Sequence, residues 1–147
     1  MILSCSTPQK ITASTVGFAT LRNYAINPNL LLSDEINYAF VGNADVFHQM
    51  FSMTKAASGA AVVPNFATQS VIAIILKPTE KVVSIDINKA ELTGHQLNIF
   101  YTITDTTSWK NYSHVPVAVA SIAKNNMVKQ INFYTGGNKE KTIKVVY

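Results

Sequence analysis

The chain has 147 residues, of which 48% are hydrophobic and only 14% are charged, and its formal net charge is +4. A chain of this length is expected to fold as one domain with a core that needs no metal or disulfide, and its low charge content argues against intrinsic disorder. Eleven of the twelve basic residues are lysines scattered along the chain, and Arg22 is the only arginine, so we expect no nucleic-acid binding.

Residues 1–14 are predicted to be a polar tether that precedes a single strand-rich globular domain of residues 15–147. The tetrad Ile2-Leu3-Ser4-Cys5 resembles a bacterial lipobox, in which the cysteine carries the lipid anchor. This interpretation predicts lipidation of Cys5, membrane attachment, and a periplasmic or surface-facing location in the bacterial cell envelope. It also predicts a basic and apolar signal segment upstream of Met1 in the reading frame. The alternative is an ordinary cysteine in a frayed terminus.

A helix is predicted from Asn43 to about Ala57. Asn43 is a suitable N-cap, because its side chain can accept a hydrogen bond from a free amide of the first turn. Phe47, Met50 and Phe51 recur at helical spacing, which gives the helix one apolar face. We expect this face to pack against a sheet.

The rest of the chain predicts β-strands. Ile36–Val41 is an early strand, and the continuous apolar run of residues 70–76 is typical of a strand covered on both sides. Alternation over residues 82–89 and 95–104 predicts a hairpin. Further strands are predicted at residues 15–26, 115–123, 128–134 and 142–147. We therefore expect an α+β fold, with an antiparallel sheet or open barrel of roughly six to eight strands packed on one short helix.

The sequence contains no recognised motif for catalysis, a cofactor or a metal ion. None of the three histidines has another ligand residue at metal-site spacing. Asp34 and Glu35 are neighbours, but adjacent residues of a strand point to opposite faces. There is no nucleophile elbow and no glycine-rich phosphate loop. We therefore expect a protein that is not an enzyme and that uses no cofactor and no metal.

The segment of residues 105–116 is polar, yet it holds the only tryptophan of the chain. It is predicted to be a loop that binds another protein through Trp109 and Tyr112, with Lys110 and His114 at their rim. The alternative is that Trp109 folds back as a lid over the edge of the core.

Weak motifs follow one another over about half of the chain. In order they are a short helix with bulky apolar residues, Asn65-Phe66, the apolar strand 70–76, the turn Pro78-Thr79, the strand 82–85, the strand 94–101 and the proline-containing strand 114–122. This order resembles the C-terminal domain of PrcB-type protease-complex subunits, which are named for an envelope lipoprotein that stabilises a surface protease. Glu80-Lys81-Val82 stands where that family usually has Gly-Gly-Tyr. The resemblance implies an envelope location and an accessory role, and it transfers no functional residue.

The sequence therefore predicts a non-catalytic envelope lipoprotein domain that binds another envelope protein, with a protease as one candidate partner. Two alternatives stay open. One is a structural assembly module of an envelope complex, which an exposed apolar edge strand would favour. The other is a carrier of a small apolar ligand, which an apolar pocket of several hundred Å3 would favour.

Overall fold

The computed structural model describes residues 12–54 and 62–146, and these residues form two open sheets, a small ribbon and one short helix. The elements in chain order are β1 (Ser14–Val16), β2 (Phe18–Thr20), β3 (Tyr24–Ile26), β4 (Ile36–Val41), α1 (Ala44–Met50), β5 (Phe51–Met53), β6 (Gln69–Leu76), β7 (Thr79–Thr93), β8 (Gln96–His114), β9 (Val117–Ala123), β10 (Gln130–Thr135) and β11 (Asn138–Lys144).

The strands form a five-stranded sheet in the order β1-β7-β8-β10-β11, a four-stranded sheet in the order β2-β9-β6-β4, and the ribbon β3-β5. The expectation of a strand-rich fold with one short helix is confirmed. The sheets do not close into a barrel, and the described residues hold eleven strands instead of six to eight. The count is higher because residues 14–26 divide into three short strands and β5 was not foreseen. The pairing is also not wholly antiparallel, since β8 and β10 run parallel.

Two apolar cores lie on the two faces of the four-stranded sheet. Between the sheets, Ile72 and Ile74 of β6 pack with Ile99 of β8 and Phe133 of β10, all fully buried. On the other face, alternate residues of β6 pack with Phe47 of α1 and with β5. The central strand β6 is therefore covered on both sides, as its continuous apolar run predicts.

The helix is shorter than the sequence suggested. The side chain of Asn43 accepts a hydrogen bond from the Val46 amide at 2.9 Å, so the predicted N-cap is confirmed. The helix ends at Met50, because Phe51–Met53 pair with β3 as strand β5. The predicted helical continuation is therefore wrong for residues 51–53. The rest of it, to about Ala57, falls largely on residues 55–61, which lie outside the described part of the chain. Phe47 and Phe51 are buried as predicted.

The longest feature is the hairpin of β7 and β8. Its predicted existence is confirmed, but its turn is tighter, because β7 continues to Thr93 and β8 begins at Gln96. Gly94 in that turn has a φ of 60°, which a residue without a Cβ adopts at little cost. At the other end β8 continues to His114. The prediction that residues 105–114 form a loop is therefore wrong.

A buried amide fixes the parallel pairing of β8 and β10. The Asn132 side chain is fully buried and donates hydrogen bonds to the Gln96 and Asn98 side chains at 3.0 and 2.9 Å. Its oxygen accepts from the Gln130 amide and the Thr142 hydroxyl at 3.1 and 2.8 Å. A one-residue slip would break this network and leave a buried amide without partners, which costs stability.

A tyrosine pair joins the two sheets through the core. The Tyr38 hydroxyl on β4 lies 2.7 Å from the Tyr101 hydroxyl on β8. Burial raises the pKa of both groups, and for Tyr101 the hydrogen bond to Tyr38 raises the pKa further. Both hydroxyls therefore stay protonated in the folded protein at a pH that ionises tyrosines of the unfolded chain.

We expect the free energy of unfolding to fall as the pH rises above about 10, the ordinary pKa of tyrosine. Above that pH the folded state binds more protons than the unfolded state, so each further rise in pH favours unfolding. Urea unfolding between pH 8 and 11 checks this. Replacing Tyr38 and Tyr101 together by phenylalanine should make the decline shallower, because the two hydroxyls with raised pKa values are removed. Since these hydroxyls bond to each other, the double replacement leaves neither of them buried without a hydrogen-bond partner. An equally steep decline in this double variant would contradict the assignment.

Candidate functional site

The residues predicted to bind a partner lie at the open end of the β7–β8 hairpin, where β8 departs from regular pairing. Val83 pairs with Asp105, Lys81 with Trp109, and Thr79 with His114. Between successive pairs β7 moves by two residues, whereas β8 moves by four residues from Asp105 to Trp109 and by five from Trp109 to His114. The surplus residues form bulges, which bend a strand and redirect its side chains. We call Trp109, Lys110, Tyr112, His114 and the opposing Lys81 the aromatic strip.

Trp109 is exposed, and Lys81 of β7 lies against its ring. Its side chain is 66% exposed, and the Lys81 ammonium lies 5.3 Å from the centre of its ring. The same ammonium lies 3.6 Å from an Asp105 carboxylate oxygen. A cation over an indole ring is attracted by its π-electrons, and the carboxylate helps to hold the lysine in place. Trp109 therefore does not lie as a lid on the core.

Tyr112 continues the strip and is 57% exposed. The Lys110 ammonium lies 5.4 Å from the centre of its ring, and the His114 ring lies 6.5 Å away at a steep angle. The Nδ1 atom of His114 is buried and has no hydrogen-bond partner among the described residues. The strip thus combines two exposed aromatic rings, two lysines and a half-buried imidazole.

An apolar groove of about 550 Å3 begins at His114. Its walls are apolar residues of β3, of the β3–β4 connection and of the connections β6–β7 and β8–β9, namely Ala25, Ile26, Pro28, Leu30, Leu31, Leu32, Pro78 and Val115. Leu31 at its rim is 94% exposed. The groove is open to solvent along its length, so it offers an apolar contact surface next to the strip and not an enclosed cavity.

The structure brings together all four residues that the sequence assigned to partner binding, because all of them lie on β8. Cys5, the predicted lipidation site, lies outside the described residues. The sequence interpretation missed Lys81, Asp105 and the groove at Leu31. Lys81 could not be paired with Trp109 in advance, since the bulges of β8 shift the register by an amount that no local sequence signal sets.

Other chemistry is sparse in residues 12–54 and 62–146. No group of three histidine, cysteine or acidic side chains there could hold a metal ion. No helix within those ranges has the length and apolar character needed to cross a membrane. The charges near the strip are of both signs, since Glu80 and Asp105 lie among the lysines.

Comparisons with known proteins add no assignment. No protein-family model, no curated protein and no solved structure matches the chain. The resemblance to PrcB-type subunits therefore stays a prediction from the sequence.

Proposed function

We propose that the chain is a non-catalytic lipoprotein domain of the bacterial cell envelope, anchored through Cys5, which binds another envelope protein through the aromatic strip. Stabilising or regulating a protease is the form that the resemblance to PrcB-type subunits suggests. The observation that carries the proposal is the exposure of Trp109 and Tyr112, at 66% and 57%, on a hairpin built into a two-sheet core.

Exposed aromatic side chains on a rigid support are effective contact groups. They bury a large area when a partner covers them, and they lose few rotatable bonds in doing so. Here both rings are carried by β8, which is paired with β7, and a lysine ammonium lies over each ring. Because the backbone beneath the rings is already ordered, a partner would not have to order it, which lowers the entropic cost of association.

Site-specific photo-crosslinking in the native cells tests this proposal. A photoreactive amino acid at position 109 or 112 should cross-link the same envelope protein from both positions. Met127, which is 58% exposed and lies beside the β7–β8 turn at the other end of the hairpin, is the matched control position and should give no such product. Different products at 109 and 112, or the same product at 127, would contradict binding through the strip.

The structure bears differently on the two alternative functions, the assembly module and the ligand carrier. An assembly module would need an open apolar edge. The edge strand β11 discourages strand addition because it carries Lys139, Lys141 and Lys144, whereas the edge strand β4 of the four-stranded sheet is mostly apolar. A carrier of a small apolar ligand could use the groove at Leu31, whose volume is in the range of ligand sites although it is open to solvent. Mass spectrometry of the protein purified under native conditions distinguishes this second candidate, since a carrier should retain a stoichiometric apolar molecule.

A further inference from the structure

Four segments meet at the end of the molecule where the described chain begins. Ser14 of β1 pairs with Leu92, beside the β7–β8 turn. At the same level of the sheet, Gln130 pairs with Gln96 of β8 and with Lys144 of β11. We call this the tether end and define it as residues 12–16, 92–97, 124–130 and 142–146.

The aromatic strip lies at the opposite end of the same hairpin. Along β7, Leu92 belongs to the tether end and Lys81 to the strip. At the rise of a β-strand, this stretch spans about 30–35 Å. The entry of the chain and the strip are therefore separated by most of the length of the molecule.

The charged side chains of the tether end are all basic. Its four segments contain no aspartate or glutamate and hold three lysines, at positions 124, 129 and 144, of which Lys124 donates a hydrogen bond to the Phe66 carbonyl oxygen at 2.7 Å. Lys129 and Lys144 are exposed, and so are the apolar side chains of Met127 and Val146, at 58% and 86%. Glu91 of β7 lies opposite Thr15 of this end, and its carboxylate forms an ion pair with the Lys89 ammonium at 3.0 Å.

Lysines and exposed apolar side chains without carboxylates are the composition of a surface that rests on anionic lipid, because the headgroups attract the ammonium groups and the interface takes up the apolar groups. The end with the strip differs, since Asp34, Glu35, Glu80 and Asp105 lie there among its lysines. The length of chain also fits. From Cys5 to Thr12 the backbone reaches at most about 25 Å, which is short enough to hold the tether end near an anchoring surface.

We propose that the tether end faces an anionic phospholipid surface and that the aromatic strip therefore points away from the membrane. This orientation depends on the proposed attachment through Cys5. It explains how a partner outside the membrane plane would reach the strip without competing with lipid for it.

The composition of the chain allows a direct test with the full-length protein. Cys5 is the only cysteine, so it can be coupled to a maleimide lipid in phosphatidylglycerol-containing vesicles. Trp109 is the only tryptophan, so its energy transfer to a dansyl headgroup lipid reports the position of the strip. A matched variant moves the tryptophan to the tether end by combining Trp109→Phe with Val146→Trp. We expect severalfold stronger transfer in this variant than from native Trp109.

Equal or stronger transfer from Trp109, or a blue shift of its emission on vesicles, would overturn the orientation, because the strip would then lie on the bilayer. In the variant with the moved tryptophan, adding Lys129→Glu and Lys144→Glu should reduce transfer on anionic vesicles. Unchanged transfer would overturn the role of the lysines. Chemical coupling replaces cellular lipidation here, so the outcome is independent of whether cells modify Cys5 and of whether the strip cross-links a protein partner.

Discussion

Replacing Phe51 by alanine is expected to lower the free energy of unfolding by about 3–5 kcal/mol, the usual range for a buried aromatic side chain. Phe51 is 2% exposed and its ring centre lies 5.3 Å from that of Phe47. Both rings belong to the core that joins α1 and the β3–β5 ribbon to the four-stranded sheet. Removing the ring takes away its contacts in this core and leaves a cavity there.

Chemical denaturation followed by far-ultraviolet circular dichroism measures this loss. Val46→Ala is the matched control on the preceding helix, because Val46 is 36% exposed and its truncation should change the stability by no more than about 0.5–1 kcal/mol. A loss below about 1 kcal/mol for Phe51→Ala would show that the layer of α1 and the ribbon contributes little to the fold.

Hydrophobic patterns predicted much of the fold, because a strand buried on one face alternates apolar and polar residues, and a strand buried on both faces is apolar throughout. The continuous run of β6 and the alternation of β7 and β8 were interpretable for that reason. The helix began where its N-cap predicted, but its C-terminal part was wrong. Phe51 satisfies a helical spacing and a strand position equally well, and its pairing with Ile26 of β3 decided between them.

Non-local pairing set the features that the sequence did not reveal. The parallel neighbour of β8 is β10, and the network that fixes their register centres on Asn132, a fully buried amide between Ile131 and Phe133. Nothing next to Asn132 in the sequence identifies Gln96 and Asn98 as its partners. The division of the strands between two open sheets follows from such long-range contacts.

The candidate site shows the same limit. Trp109 and Tyr112 were identifiable because large aromatic residues stand out in a polar segment. The strand that carries them was not identifiable, because the polar composition of residues 105–114 suggested a loop. Bulges allow β8 to continue through these residues. Lys81 entered the site only through that pairing.

The double replacement of Trp109 and Tyr112 by alanine is expected to weaken binding of the cross-linked envelope partner by about 2 kcal/mol or more, which is about 30-fold in Kd. The two rings supply most of the exposed aromatic area of the strip, and they lie outside both cores. The stability should therefore change by no more than about 0.5–1 kcal/mol, as is usual for surface positions.

The matched control replaces Met127 and Val146, two exposed apolar residues at the tether end, by alanine and should leave the affinity for the partner unchanged. The most direct test of the central claim is the Kd of the purified partner for the wild-type chain and for these two double variants, measured by calorimetry. We expect a loss of about 30-fold only when Trp109 and Tyr112 are replaced. An unchanged Kd in that variant, with the fold intact, would contradict the assignment of the aromatic strip as the protein-binding surface.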